Sequence, residues 1–242
     1  LLEVGAPLCW PLNPIGYGMC GPTVYTHGSE EQKARYLRPL FTAEEIWCQL
    51  FSEPSAGSDV AGLTSKAVRD GEEWVVNGQK VWTTLAHVSR WGCLVTRTDP
   101  DAPKHKGLSY FVVDMHQPGV DVRPLRQMTG DAEFNEVYFT DARVSDSERL
   151  GKAGDGWRVA LTTLMNERVA IGGAQAPRGS GPIGESLRLW SELGSHQKSV
   201  ALQDRLMSLW SKAEVARLTN IRASQNRATD VPGPEGSTGK LA

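Results

Sequence analysis

The period of the hydrophobic pattern changes twice along these 242 residues, and a pattern written for one kind of secondary structure does not sit as another. Ser29 offers an N-cap with Glu30 and Glu31 in the first turn, where carboxylates suit the positive helix end. Ala34, Tyr36, Leu37 and Leu40 follow at helical spacing, with Pro39 predicted to end that helix early. From about residue 45 to 149 the period is 2. Strands are predicted at 92–96, 109–115, 120–124 and 136–140, separated by turns at 98–103, 117–119 and 129–131. Two β-rich runs flank Asn77-Gly78, which predicts a hairpin there. From about 154 the helical period returns, with Trp157, Ala160, Leu161, Leu164, Met165, Val169 and Ile171 on one face. A Gly/Pro/Ser stretch at 172–184 interrupts it. A second long helix is expected over 199–227, with Leu202, Leu206, Leu209, Trp210, Ala213, Ala216 and Leu218 inward.

Helical, then β, then helical, without alternating βαβ units, makes a doubly wound dinucleotide fold a poor candidate despite 25 glycines. The expected class is α+β and multidomain. It comprises a helical N-terminal remnant (1–43), a central antiparallel β-barrel-like domain (44–150) and a truncated C-terminal helical bundle (151–242). A net charge of −2 gives no reason to expect nucleic acid. No apolar run reaches the roughly 20 residues of a membrane span. Cys9, Cys20, Cys48 and Cys93 are scattered, with no pair at metal-ligand spacing, so reduced buried thiols in a cytoplasmic protein are expected and no metal is. Neither an initiator methionine nor a signal peptide opens the sequence, and it stops within helix-like residues. An internal piece of a longer protein, exposing apolar surface that the whole would bury, is the natural reading.

Two segments carry possible chemistry. In the first, an apolar strand runs through Gln49, Leu50 and Phe51 into Ser52-Glu53-Pro54-Ser55-Ala56-Gly57-Ser58-Asp59. Glycine there permits close backbone approach, and N–H and hydroxyl groups can cradle a phosphate. The plain alternative is an ordinary turn capped by Asp59. In the second, Asn77-Gly78-Gln79-Lys80-Val81-Trp82-Thr83-Thr84, positions 82 and 84 share a strand face, so an indole and a hydroxyl can meet one flat ligand. A core tryptophan beside surface threonines is the competing reading. His87 and His105 read as solvated loop residues, and no G-x-S-x-G elbow supports a serine hydrolase.

The run Ser52 to Val68, followed by Asn77 to Thr84, closely resembles the signature of the acyl-CoA dehydrogenase superfamily. So do Asn135 to Val144, and Gly156-Trp157 onward through Asn166-Glu167-Arg168, in the same order over roughly residues 29–175. The resemblance implies FAD held between a β-domain and helical domains. By position, Gln49, Phe51 and Ser52 would face the isoalloxazine. Gly57 and Ser58 would lie at the pyrophosphate, Ser58 alternatively near the acyl-CoA thioester arm. Trp82 would pack on the ring with Thr84 near N5. Donors at those edges favour hydride acceptance. The implied reaction is α,β-dehydrogenation of an acyl-CoA thioester, with electrons passed to an electron-transferring flavoprotein, in a homo- or hetero-oligomer.

In one branch of that family a glutamate directly before an arginine on the first C-terminal helix is the base. Glu167-Arg168 matches it, with Arg168 at a position that meets the CoA end. A carboxylate serving so needs a dry pocket to raise its pKa. A surface or ion-paired Glu167, with the base beyond residue 242, is the alternative. The chain departs from the family at 191–197, which lacks the Arg and Phe of the usual Arg-x-x-Phe-Gly grip on a neighbouring subunit's FAD. Two further functional readings stay open: a catalytically silent subunit scaffolding a heteromeric enzyme, and a flavin oxidase or monooxygenase of the same fold.

Overall fold

A computed structural model describes residues 13–172 and 177–228, in two compact units, Leu1–Asn166 and Glu167–Ala242. The first unit opens with a π turn, Gly16–Cys20, leading into α1 (Gly21–His27) and then α2 (Glu30–Phe41). Ser29 caps α2 as its sequence promises. Its hydroxyl accepts from the Gln32 N–H while the Gln32 side chain accepts from the Ser29 N–H, a complete capping box. Pro39 does not stop the helix. It falls in the last turn, and the Thr42 N–H still reaches the Arg38 carbonyl at 3.0 Å.

Eight strands follow: β1 (Trp47–Leu50), β2 (Lys66–Asp70), β3 (Glu73–Thr84), β4 (Trp91–Arg97), β5 (Leu108–Asp114), β6 (Val120–Leu125), β7 (Phe134–Ser145) and β8 (Arg149–Leu150). They form one sheet in the order β6-β7-β3-β2-β4-β5-β8, with β1 also on β4. This corrects the expected antiparallel barrel, because the sheet is mixed and its ladder does not close. β1 runs parallel to β4 from Trp47↔Trp91 to Leu50↔Leu94, and β2 meets β4 in parallel at Lys66↔Arg97. The chain leaves β1, makes the β2–β3 excursion and returns in the same direction as β4, and such a crossover is what parallel pairing requires.

The hairpin expected at Asn77-Gly78 is also corrected. β3 passes straight through these residues, and the β2–β3 turn lies at Gly71, φ +63°. Gly78 (φ +149°) sits where the β3–β7 register shifts. A Cβ built on it would come within 2.2 Å of Ser65 Oγ and 2.7 Å of Ser65 Cα. Close passage of the Ser65 backbone, not a turn, demands glycine here. The Asn77 amide donates to Asp141 instead of closing a turn.

Residues 91–96 of β4 and 108–113 of β5 are buried in succession, since apolar groups cover both faces of these strands. One core packs Trp47, Trp91, Cys93 and Tyr110 against Val24, Tyr36 and Leu40 of the helices and Val159 and Ala160 of α3 (Gly156–Gly172). Tyr36 stands edge-on to both Trp47 and Trp91. The other core joins Leu94 and Phe111 to Trp74, Val76, Val137 and Phe139, so the two halves of the sheet share it. On α3, Ala160 is buried and Trp157 and Leu164 pack against the core as expected, joined by buried Val159 and Thr163, while Leu161 and Met165 are exposed, contrary to expectation. The side chains of Val169 and Ile171 lie outside the described residues.

The second unit holds the rest of α3, α4 (Gly181–Glu192) and α5 (Val200–Ala228). α4 was not foreseen: it starts inside the Gly/Pro stretch, with Pro182 at its N-terminus, a position that tolerates proline. Of the residues expected inward on α5, Leu206 is buried, whereas Leu202, Leu209 and Leu218 are exposed.

Candidate functional site

β1 ends at Leu50, and the chain turns sharply. Glu53 and Ala56 exchange two backbone hydrogen bonds of 3.0 Å, leaving Pro54 and Ser55 at the tip. The Phe51 ring goes into the core, edge-on to Tyr110, so only its backbone can meet a ligand. Gln49 and Ser52 are half-buried. The Val81 N–H donates to the Ser52 carbonyl at 2.9 Å, which ties this turn to β3.

Beyond Gly78, the alternation on β3 fails a second time. Lys80 and Val81 are both inward, Trp82 is outward, Thr83 inward and Thr84 half-buried. The register against β7 shifts between Lys80 and Thr83, a β-bulge, and Trp82 within it has φ +59°. For a bulky residue that left-handed conformation is an outlier that the surroundings must hold in place. The indole is 62% exposed and edge-on to Phe134. Beside it, the Asn135 amide donates to the Thr83 carbonyl at 2.9 Å and the Glu133 carbonyl at 3.2 Å, fastening β7 to the bulge. The buried Thr83 hydroxyl has no hydrogen-bond partner.

Beneath the turn and the bulge lies a charged pair. Lys80 is fully buried, and its Nζ donates to Glu53 Oε1 at 2.9 Å and to the Phe51 carbonyl at 3.1 Å. Glu53 Oε2 accepts from the Thr64 N–H (2.6 Å) and hydroxyl (2.8 Å), and Oε1 also accepts from the Ser65 N–H (2.9 Å). Burial pushes the Glu53 carboxyl up, but the Lys80 charge and these donors override it and hold it at about 2. Burial lowers the Lys80 ammonium to about 8 against the pull of Glu53. Sequence reading missed this pair. The available signal was a lysine set between Gln79 and the apolar pair Val81-Trp82 in a strand-like run.

Gly57 and Ser58 are exposed, and a Cβ on Gly57 would meet nothing within 4 Å. Asp59 pairs with Lys104. His87 is exposed with Nδ1 at 3.2 Å from Asn135 Oδ1, and the His105 ring lies tilted against Trp157. Glu167 (half-buried) and Arg168 (exposed) stand on α3 in the second unit. Cys20, Cys48 and Cys93 are buried and reduced, while Cys9 lies outside the described residues. Among the described residues no cluster suits a metal ion, and no helix is long and apolar enough to cross a membrane. The geometry brings the 51–53 turn and the 80–84 bulge together. An outward indole on a strained backbone, half-buried Thr84 two residues on and open space at Gly57 are compatible with a flat ring that carries phosphates.

Residues 48–142 match the model "Acyl-CoA dehydrogenase, middle domain", and 154–242 match "Acyl-CoA dehydrogenase, C-terminal domain". The chain is 47% identical over 221 residues to "Acyl-CoA dehydrogenase FadE34" of Mycobacterium tuberculosis, covering 91% of this chain and 30% of that protein. Among solved structures it resembles the Tcur3481-Tcur3483 steroid ACAD (TM-score 0.81, 31% identity, 94% of this chain and 59% of that one). It also resembles the ChsE4-ChsE5 complex from Mycobacterium tuberculosis (TM-score 0.80, 30% identity, 98% and 62%). The chain thus spans from under a third to about three fifths of the proteins it matches.

Proposed function

The chain belongs to the acyl-CoA dehydrogenase family, and from that premise we propose that the whole protein is an FAD-dependent enzyme that dehydrogenates an acyl-CoA thioester between Cα and Cβ. The observation that carries this reading is Trp82, held outward at φ +59° by the β3 bulge. Energy spent on strain at an exposed residue is well explained by a ligand that the residue must meet.

Bound FAD would supply the two-electron acceptor for the β-hydrogen. Everything else is asked of the protein. Trp82 offers its indole face to the ring, and Thr84 its hydroxyl. Gln49, Ser52 and the backbone at Phe51 meet the ring's polar edge. Gly57 and Ser58 leave room and donors for phosphate, or for the thioester arm. Glu167 takes the α-proton, and Arg168 meets the CoA end. The product is then a trans-2-enoyl-CoA, the electrons leave to an electron-transferring flavoprotein, and the setting is cytoplasmic.

The test is anaerobic addition of an acyl-CoA panel to the purified whole protein and to Glu167→Gln. Bleaching of bound flavin in the parent but not in the variant supports both the reaction and the base. Bleaching in both moves the base elsewhere in the protein. Bound flavin that no thioester bleaches refutes the reaction, in favour of a silent subunit or a non-CoA substrate. A heteromeric assembly is a second reading. It is favoured by the missing Arg and Phe at 191–197 and by the paired names of the two solved relatives. The mass of the native complex, with its subunits identified, decides that point.

A further inference from the structure

The two segments read above as facing the flavin are far apart in sequence, and one ion pair lies beneath both. Lys80 reaches from the β3 bulge to the Phe51 carbonyl and Glu53, and Glu53 in turn holds Thr64 and Ser65. Replacing a buried ion pair by an apolar pair of similar volume often costs little or no stability, so stability alone is a weak reason for burying two charges. What the ionic pair adds is direction. Five hydrogen bonds converge on two side chains, and they admit one arrangement of the turn relative to the bulge. With Lys80 and Val81 both anchored inward, Trp82 is forced outward.

We propose that the buried Glu53–Lys80 pair is a positioning device for the cofactor, which fixes the 51–58 turn to the β3 bulge and so sets the stance of Trp82 and Thr84. Neither residue touches the ring; they act through the backbone of residues 51–53 and 81–82. This inference rests on the functional reading above and names what that site depends on.

The experiment replaces both charges at once, Glu53→Gln with Lys80→Met, in the whole protein, so that no lone charge is buried. Three quantities are read: the melting temperature of the apoprotein, the dissociation constant for FAD from flavin fluorescence quenching, and the visible circular dichroism of bound flavin. The expected result is a folded apoprotein melting within about 5 °C of the parent. Its FAD affinity should be lower by at least about tenfold, with an altered flavin dichroism. A folded double variant with parental affinity and parental dichroism overturns the inference. Should the double variant fail to fold, Thr64→Val decides. It removes only one hydroxyl bond to Glu53, and should weaken FAD by about threefold at an unchanged melting temperature; parental affinity there overturns the inference too. A parent that binds no FAD overturns the functional reading itself, an outcome distinct from either.

Discussion

Trp82 offers the sharpest test of the site, because its backbone and its side chain make opposite demands. On an ordinary strand glycine is less stable than alanine by roughly 0.5–1 kcal/mol, through the freedom it loses on folding. At φ +59° the order inverts, since an L residue in the left-handed region carries about 1–2 kcal/mol that glycine does not. Trp82→Gly should therefore leave the apoprotein more stable than Trp82→Ala by about 1 kcal/mol. The indole itself contributes little to the fold. At 62% exposure it buries roughly 60–95 Å², or about 2 kcal/mol at most. Partial relief of backbone strain leaves Trp82→Gly only about 1 kcal/mol below the parent. The same excision at fully buried Trp47 should cost about 3–5 kcal/mol. Urea unfolding of the parent and the three variants as apoproteins, with equal slopes, measures all of this. FAD affinity should meanwhile collapse in both Trp82 variants. Alanine equal to or better than glycine would refute the strain argument. A loss of 3 kcal/mol or more in the glycine apoprotein would make Trp82 a core residue and remove the observation on which the function rests.

Lys80→Met alone leaves Glu53 buried and uncompensated and should cost about 3–5 kcal/mol in denaturant unfolding, far more than the double replacement. The Glu53 carboxyl is held at about 2, below its ordinary 4.5. The stability it contributes is therefore present above about pH 4.5 and lost as pH falls towards 2, and the double variant should show a flatter acid limb. Gly78→Ala would force a Cβ to 2.2 Å from Ser65 Oγ and should lose at least about 2 kcal/mol in thermal unfolding. Gly57→Ala, which meets nothing within 4 Å, should change apoprotein stability by less than about 0.5 kcal/mol; weaker FAD binding by that variant would show whose space it fills.

Strands β4 to β7 were legible because a strand of a packed sheet advertises itself locally, in alternation or in an unbroken apolar run such as Tyr110 to Val113. Asn77-Gly78 misled because glycine signals two things, a positive φ in a turn and room for a passing backbone, and only the path of residue 65 tells which. The mixed topology was invisible since parallel pairing of β1 with β4 leaves no mark at short range. Lys80 was invisible for a related reason. A lysine at an inward position is ordinarily a misfit, and the carboxylate that makes it acceptable lies across the sheet in another motif. On α5, apolar spacing was read as burial, yet Leu202, Leu209 and Leu218 remain exposed: periodicity tells that a face is apolar, not what covers it.

The parallel seam between β1 and β4 also orders events during synthesis. Trp47 finds its partner only once Trp91 has been made, after the entire β2–β3 hairpin, a delay on the order of seconds at about 5–20 residues per second. The hairpin can close on itself in that interval, while the segment leading into the 51–58 turn waits for a strand that does not yet exist. The strand leading into the turn assigned to the cofactor thus gains its template only after the β2–β3 hairpin has been made. A nascent chain stalled before Trp91 would carry a finished β2–β3 hairpin and a β1 strand still without its parallel partner.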